Sequence, residues 1–148
     1  MPLTVQAMST YPTSPKAMAG GLMYFPRLID KIRLHARGEL GPDYHENFGT
    51  QRSGDGMCCN FLRIDHAALR ERVLAGGTDD EILEWCYTNG RRLNEGDVMV
   101  WNGFISKLGW NDFLSSYLEE IKQEQGIGSR TDVMTIPDLI DLDEQRIS

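Results

Sequence analysis

A chain of 148 residues, 41% hydrophobic and 25% charged, is sized for one domain that buries enough surface to fold without a disulfide or structural metal. Its formal net charge of −7 argues against a protein that coats nucleic acid or anionic membrane. Three cysteines, an N-terminus without a basic-then-apolar leader, and no apolar run near ~20 residues predict a cytoplasmic protein without a membrane span.

Residues 1–19, with Thr10, Pro12, Ser14 and Pro15 in quick succession, read as a flexible N-terminal tail. Gly20-Gly21 joins it to a single helical domain over residues 20–148. The first well-bounded helix runs from Phe25 toward Gly38. Pro26 suits its opening turn, Phe25, Leu28, Ile29, Ile32 and Ala36 share one face, and Gly38 stops it. Asp30 points nearly opposite that face, with Arg27, Leu34 and Arg37, a pattern that predicts contacts on both sides. From Glu39 to Gly56 periodicity is lost, leaving a long irregular loop that carries Tyr44, His45 and Asn47.

Met57 to Ile64 reads as a short helix bearing Cys58-Cys59, and Asp65 caps another through Leu74. Thr78-Asp-Asp-Glu81 is a capping box for a helix that buries Ile82, Leu83 and Cys86 and stops at Gly90. Asn94 caps the next helix, whose stripe is Val98, Trp101, Ile105 and Leu108. Asn111 or Asp112 caps a further one, in which Phe113, Leu114, Tyr117, Leu118 and Ile121 are expected to face the core. Pro137 opens a last short helix docked by Leu139, Ile140 and Leu142. The expected fold is all-α: a single compact domain of five or six short helices with a long irregular loop after the first. Arg27, Lys31, Arg33 and Arg37 make the first helix basic while the last thirty or so residues are acidic, so the two regions are expected to attract.

Metal chemistry has little to stand on. Cys58 and Cys59 are adjacent and cannot form a C-x-x-C knuckle, and His35, His45 and His66 lack ligand spacing. No Walker loop, G-x-G-x-x-G or G-x-S-x-G occurs, so neither a metal nor a cofactor is expected. A polar constellation remains: Asp30, Lys31, Tyr44, His45, Trp101, Asn102, Arg130, Thr131 and Asp132. Its basic groups could hold a carboxylate or phosphate, Tyr44 and Asn102 could orient it, and Asp30 or His45 could move a proton. The competing explanation is a set of structural ion pairs, with Asp30 joined to Arg130 or Arg37.

The runs GGLMYFPRLIDKIRLHARGELGPDYHENFG, CCNFLRIDHAALRERVLAGGTDDEILEWC, VWNGFISKLGWND and SRTDVMTIPDLIDLDEQR closely resemble the bacterial domain-of-unknown-function family 5069, from about Tyr11 to Arg146. The resemblance implies a small, stand-alone, cytoplasmic bacterial protein. The family's recurring signature falls here on Asp30, Lys31, Gly38, Leu40, Tyr44, Asp55, Trp101, Asn102, Arg130, Asp132 and Asp141. Some relatives carry a nucleotide-sugar epimerase label, which these residues do not support. Tyr117 and Lys122 miss the Tyr-x-x-x-Lys spacing by one residue, and no strand–helix alternation provides a dinucleotide fold.

Three functional expectations follow. The first is a non-enzymatic domain binding a small anionic ligand or a protein partner through the polar surface near the first helix, with no nucleic-acid or membrane partner. The alternative is a small metal-independent enzyme acting on an anionic metabolite, with Asp30 or His45 as acid/base and Lys31 and Arg130 holding the substrate. That requires a pocket in which these groups converge. The third is a homodimer whose interface includes Leu34.

Overall fold

The computed structural model describes residues 10–148. Gly20 and Gly21 take φ values of 55° and 77°, the positive-φ pair that a two-residue hairpin turn demands. They join two short antiparallel strands, β1 (Met18–Ala19) and β2 (Leu22–Met23), with Met18 opposite Met23 and Ala19 opposite Leu22. Tyr24, also at positive φ, then turns the chain into α1 (Phe25–Ala36). Phe25, Leu28, Ile29 and Ile32 are fully buried on one flank of this helix. Arg27, Lys31 and Leu34 are buried as well, so α1 is enclosed on both sides.

A single 3-10 turn at Pro42–Tyr44 interrupts the loop that follows. Next come α2 (Gly54–Leu62), α3 (His66–Leu74) and α4 (Asp79–Asn89). Ser53, Asp65 and Thr78 cap them, each accepting a first-turn amide, and Thr78 and Glu81 form the reciprocal capping box. Gly56 is required because a Cβ there would collide with the Thr50 carbonyl oxygen. Then α5 (Glu95–Ser106), capped by Asn94, packs against the hairpin. The chain closes with α6 (Ser115–Glu124) and α7 (Ile136–Asp143), the latter capped by Thr135 with Pro137 in its first turn. One large core joins the hairpin and α1 through α5 around Phe25, Leu62, Ile82 and Trp101. A smaller one, Leu118, Val133 and Leu139, holds α6, the loop after it and α7 together. No described helix is long and apolar enough to cross a membrane.

The mostly helical expectation holds, with seven α-helices among the described residues rather than five or six, and a small hairpin besides. The expectation of a flexible tail through residue 19 is corrected in part. Residues 1–9 fall outside the described residues. Thr13, Ser14 and Lys16 are bonded to side chains of α1 and α7, so this stretch is a strap rather than a loose end. Asp112 does not cap α6. It accepts the Gly109 and Leu114 amides and builds a turn instead, so α6 starts at Ser115 and Phe113 and Tyr117 stand exposed. Leu34 is buried within the chain, which removes it from any homodimer interface.

Candidate functional site

The polar flank of α1 carries two buried ionic clusters. In the first, the Lys31 ammonium lies 2.8 Å from Asp55 Oδ2, and Asp55 is wholly buried. Asp55 also accepts the Tyr24 hydroxyl at 2.7 Å and the Gly49 amide at 3.0 Å, so the long loop and the start of α1 meet on one carboxylate. Burial holds the Lys31 pKa below that of a free lysine despite the facing Asp55. Burial, with Asp55 alongside, pushes the Tyr24 phenol well up.

In the second cluster, Arg27 donates to both oxygens of Glu144, at 2.9 and 2.8 Å. The Tyr44 hydroxyl donates to the same carboxylate at 2.6 Å, as does Arg146. Arg146 also reaches Asp141, which accepts from Ser14. Burial alone would raise the Glu144 pKa, but the bonds and charge of Arg27 outweigh it and hold it below the usual carboxylate value. Burial and the Glu144 carboxylate together raise the Tyr44 phenol. The attraction expected between the basic first helix and the acidic end of the chain is therefore carried by Arg27 and Glu144. Arg33 pairs instead with Asp79 and Arg37 with Glu39.

The other residues singled out in the sequence are engaged nearby or elsewhere. Asp30 pairs with neither Arg130 nor Arg37. Its Oδ2 accepts the Thr13 amide and hydroxyl at 2.8 and 2.9 Å, fastening the N-terminal strap. His45 Nε2 lies 3.0 Å from the Leu40 carbonyl oxygen. Trp101 donates its indole N–H to the Met23 carbonyl at 2.7 Å, and Asn102 accepts the Met23 amide while donating to Gly21. That pair clasps the hairpin. Arg130 and Asp132 pair with each other at the surface. Asp30, Lys31, Tyr44 and His45 gather around α1 and its loop, but each already has a partner from within the chain. Arg130 joins none of them.

Arg130 belongs to a different feature. A groove of about 370 Å³ runs between the turn joining α5 to α6 and the loop joining α6 to α7. Trp110 and Asn111 line it from the first of these, Ser129, Arg130 and Thr131 from the second, and Glu119 and Lys122 from α6. Lys122 is 5% exposed. Its amine donates to the Arg130 and Val133 carbonyls, each at 2.8 Å, and it forms no ion pair among the described residues, although Glu119 lines the same groove and Asp132 lies close enough for its carboxyl to be held down by Arg130 and, in part, by the Lys122 charge. Two carbonyls use two of the three N–H donors that an ammonium carries. Little in the sequence marks Lys122, which sits among Glu119, Glu120 and Gln123. Glu144 and Arg27 were visible only as members of oppositely charged regions.

No group of three or more His, Cys, Asp or Glu among the described residues is arranged to hold a metal. The three cysteines are free and buried. Burial pushes the Cys59 and Cys86 thiols up to about 12, away from nucleophilic use.

A family model described as "Domain of unknown function (DUF5069)" matches residues 9–146. The chain belongs to that family. No curated protein matches it. The DUF5069 match spans both buried clusters, the hairpin clasp and the Lys122 groove, so every feature described above lies inside the family domain.

Proposed function

We propose that this protein is a non-enzymatic domain that binds a small organic anion in the Lys122 groove. The observation that supports it is the buried Lys122 side chain, which lines a groove of about 370 Å³, forms no ion pair with the nearby Glu119 or Asp132, and has one N–H donor beyond the two given to carbonyls. An anion there would take that donor. Ser129 and Thr131 would add hydroxyl bonds, and the exposed Trp110 offers an apolar surface for the rest of the molecule.

The polar residues near α1 serve this reading as scaffold rather than contact surface. An acid/base enzyme needs a carboxylate and a base within reach of one substrate atom. Asp30 is committed to Thr13 and Lys31 to Asp55, while the groove's Arg130 joins neither.

Calorimetric titration with benzoate, succinate and inorganic phosphate tests the proposal. At least one is expected to bind, with affinity falling as salt is raised. Binding should be lost in Lys122→Met and weakened in Arg130→Gln, which leaves the Lys122 carbonyl bonds in place. No binding of any of the three, or binding unchanged in both variants, would overturn it.

A further inference from the structure

Charge and apolar surface meet in the groove between the α5–α6 turn and the α6–α7 loop, and together they narrow the class of anion that the function proposed above would bind. The charge is nearly all spent. Arg130 Nε lies 2.9 Å from Asp132 Oδ1 and its Nη2 2.5 Å from Oδ2, and the same Nη2 donates to the Ser148 carbonyl at 3.0 Å. That pairing holds the Asp132 carboxyl down to about 2, so it is ionised at any ordinary pH. Glu119 lines the groove as a second carboxylate and is exposed.

Two basic side chains, Lys122 and Arg130, therefore stand against two carboxylates, Glu119 and Asp132. What is left for a ligand is the one Lys122 N–H beyond the two given to the Arg130 and Val133 carbonyls. One carboxylate can take it. A second negative charge on the same small molecule would meet Glu119 or Asp132 with no second free cation to offset it, and like charges brought together cost affinity.

The apolar surface is unspent. Leu118 and Val133 line the groove and are almost wholly buried, whereas Trp110 and Met134 line it with about half of each exposed. An exposed indole is a stacking face for a flat ring, and a thioether makes favourable contact with aromatic rings. Phe113 and Tyr117, exposed nearby in the chain, do not line the groove, so Trp110 is its aromatic face. At about 370 Å³ the groove has room for a ring as well as its carboxylate. We infer that the groove takes an aromatic monocarboxylate, with the carboxylate on the Lys122 amine and the ring against Trp110.

Calorimetric titration of the full chain with benzoate, cyclohexanecarboxylate, succinate and inorganic phosphate, at one ionic strength and at a slightly alkaline pH where the last two are dianions, reads this out. Benzoate is expected to bind several-fold tighter than cyclohexanecarboxylate, which has the same charge and a ring without a π face. It should bind about tenfold tighter than succinate or phosphate. Trp110→Leu keeps an apolar side chain and removes the indole. It should erase the preference for benzoate over cyclohexanecarboxylate while circular dichroism stays unchanged, and Phe113→Ala, outside the groove, should leave the ranking intact. Succinate or phosphate binding tightest, with loss in Lys122→Met, would overturn the aromatic monocarboxylate and leave anion binding at Lys122 standing. Equal affinity for benzoate and cyclohexanecarboxylate, or a preference that survives Trp110→Leu, would also overturn it. Binding of none of the four would remove both readings.

Discussion

Arg27 and Glu144 face each other fork to fork, at 2.9 and 2.8 Å, with each side chain only 4% exposed. The pair ties the first turn of the first long helix to the residue that caps the last one. Removing Glu144 leaves the buried Arg27 guanidinium without its counter-charge, which costs about 3–5 kcal/mol, whereas removing Arg27 leaves Glu144 still bonded to Arg146 and Tyr44. Glu144→Leu is expected to fall in that range by urea denaturation, and Arg27→Met below it. The double variant should cost clearly less than the sum, because neither charge is then stranded. Additive losses would mean that the pair does not act as a unit.

Stability should fall in two steps as pH is lowered, for separate reasons. Burial depresses the His66 pKa below 6.5, so as pH falls through 6.5 the unfolded chain takes up a proton that the folded chain refuses. Glu144 is held below its ordinary 4.5, and its contribution is present above that pH and lost as pH falls through the folded value. Lys31 acts at the other end. With its folded pKa below 10.5, stability should rise as pH climbs through the window beneath that figure. Urea midpoints measured across pH test this. His66→Gln should flatten the upper acid step and leave the lower one, whereas Glu144→Leu should do the reverse.

Much of the helical plan was legible because it is written in local chemistry. Asp65, Thr78 and Asn94 sit where their side chains accept first-turn amides, and Pro137 starts the last helix. What failed was signal carried by few residues or by none nearby. Two-residue strands leave no alternation to read, although Gly20-Gly21 was itself a hairpin turn. Asp112 has the chemistry of a helix cap and spends it on the turn before the helix. Leu34 and Lys122 each look exposed from helical periodicity alone. Only the tertiary fold buries Leu34 and brings the loop at residues 130–133 over Lys122. The candidate site divided in the same way: residue types were right for ionic partners, but sequence could not say that most of those partners lie inside the chain.

Trp101 and Asn102 are expected to behave as a clasp. Asn102→Ala leaves the Met23 amide and the Gly21 carbonyl without their side-chain partner, at a cost of about 1–3 kcal/mol. Amide hydrogen exchange should quicken over residues 18–24 and remain unchanged in α3 and α4. A uniform change across the chain would contradict a local role.

On the function proposed above, the polar residues around α1 hold the fold while ligand contact belongs to the Lys122 groove. The most direct test is amide chemical-shift mapping during titration with the anion that binds tightest among benzoate, succinate and inorganic phosphate. Shifts are expected to centre on residues 128–133 and the Trp110 indole, with Asp30, Tyr44 and His45 unmoved. Shifts centred instead on the α1 polar flank and the Tyr44 loop, with the groove silent, would contradict that function.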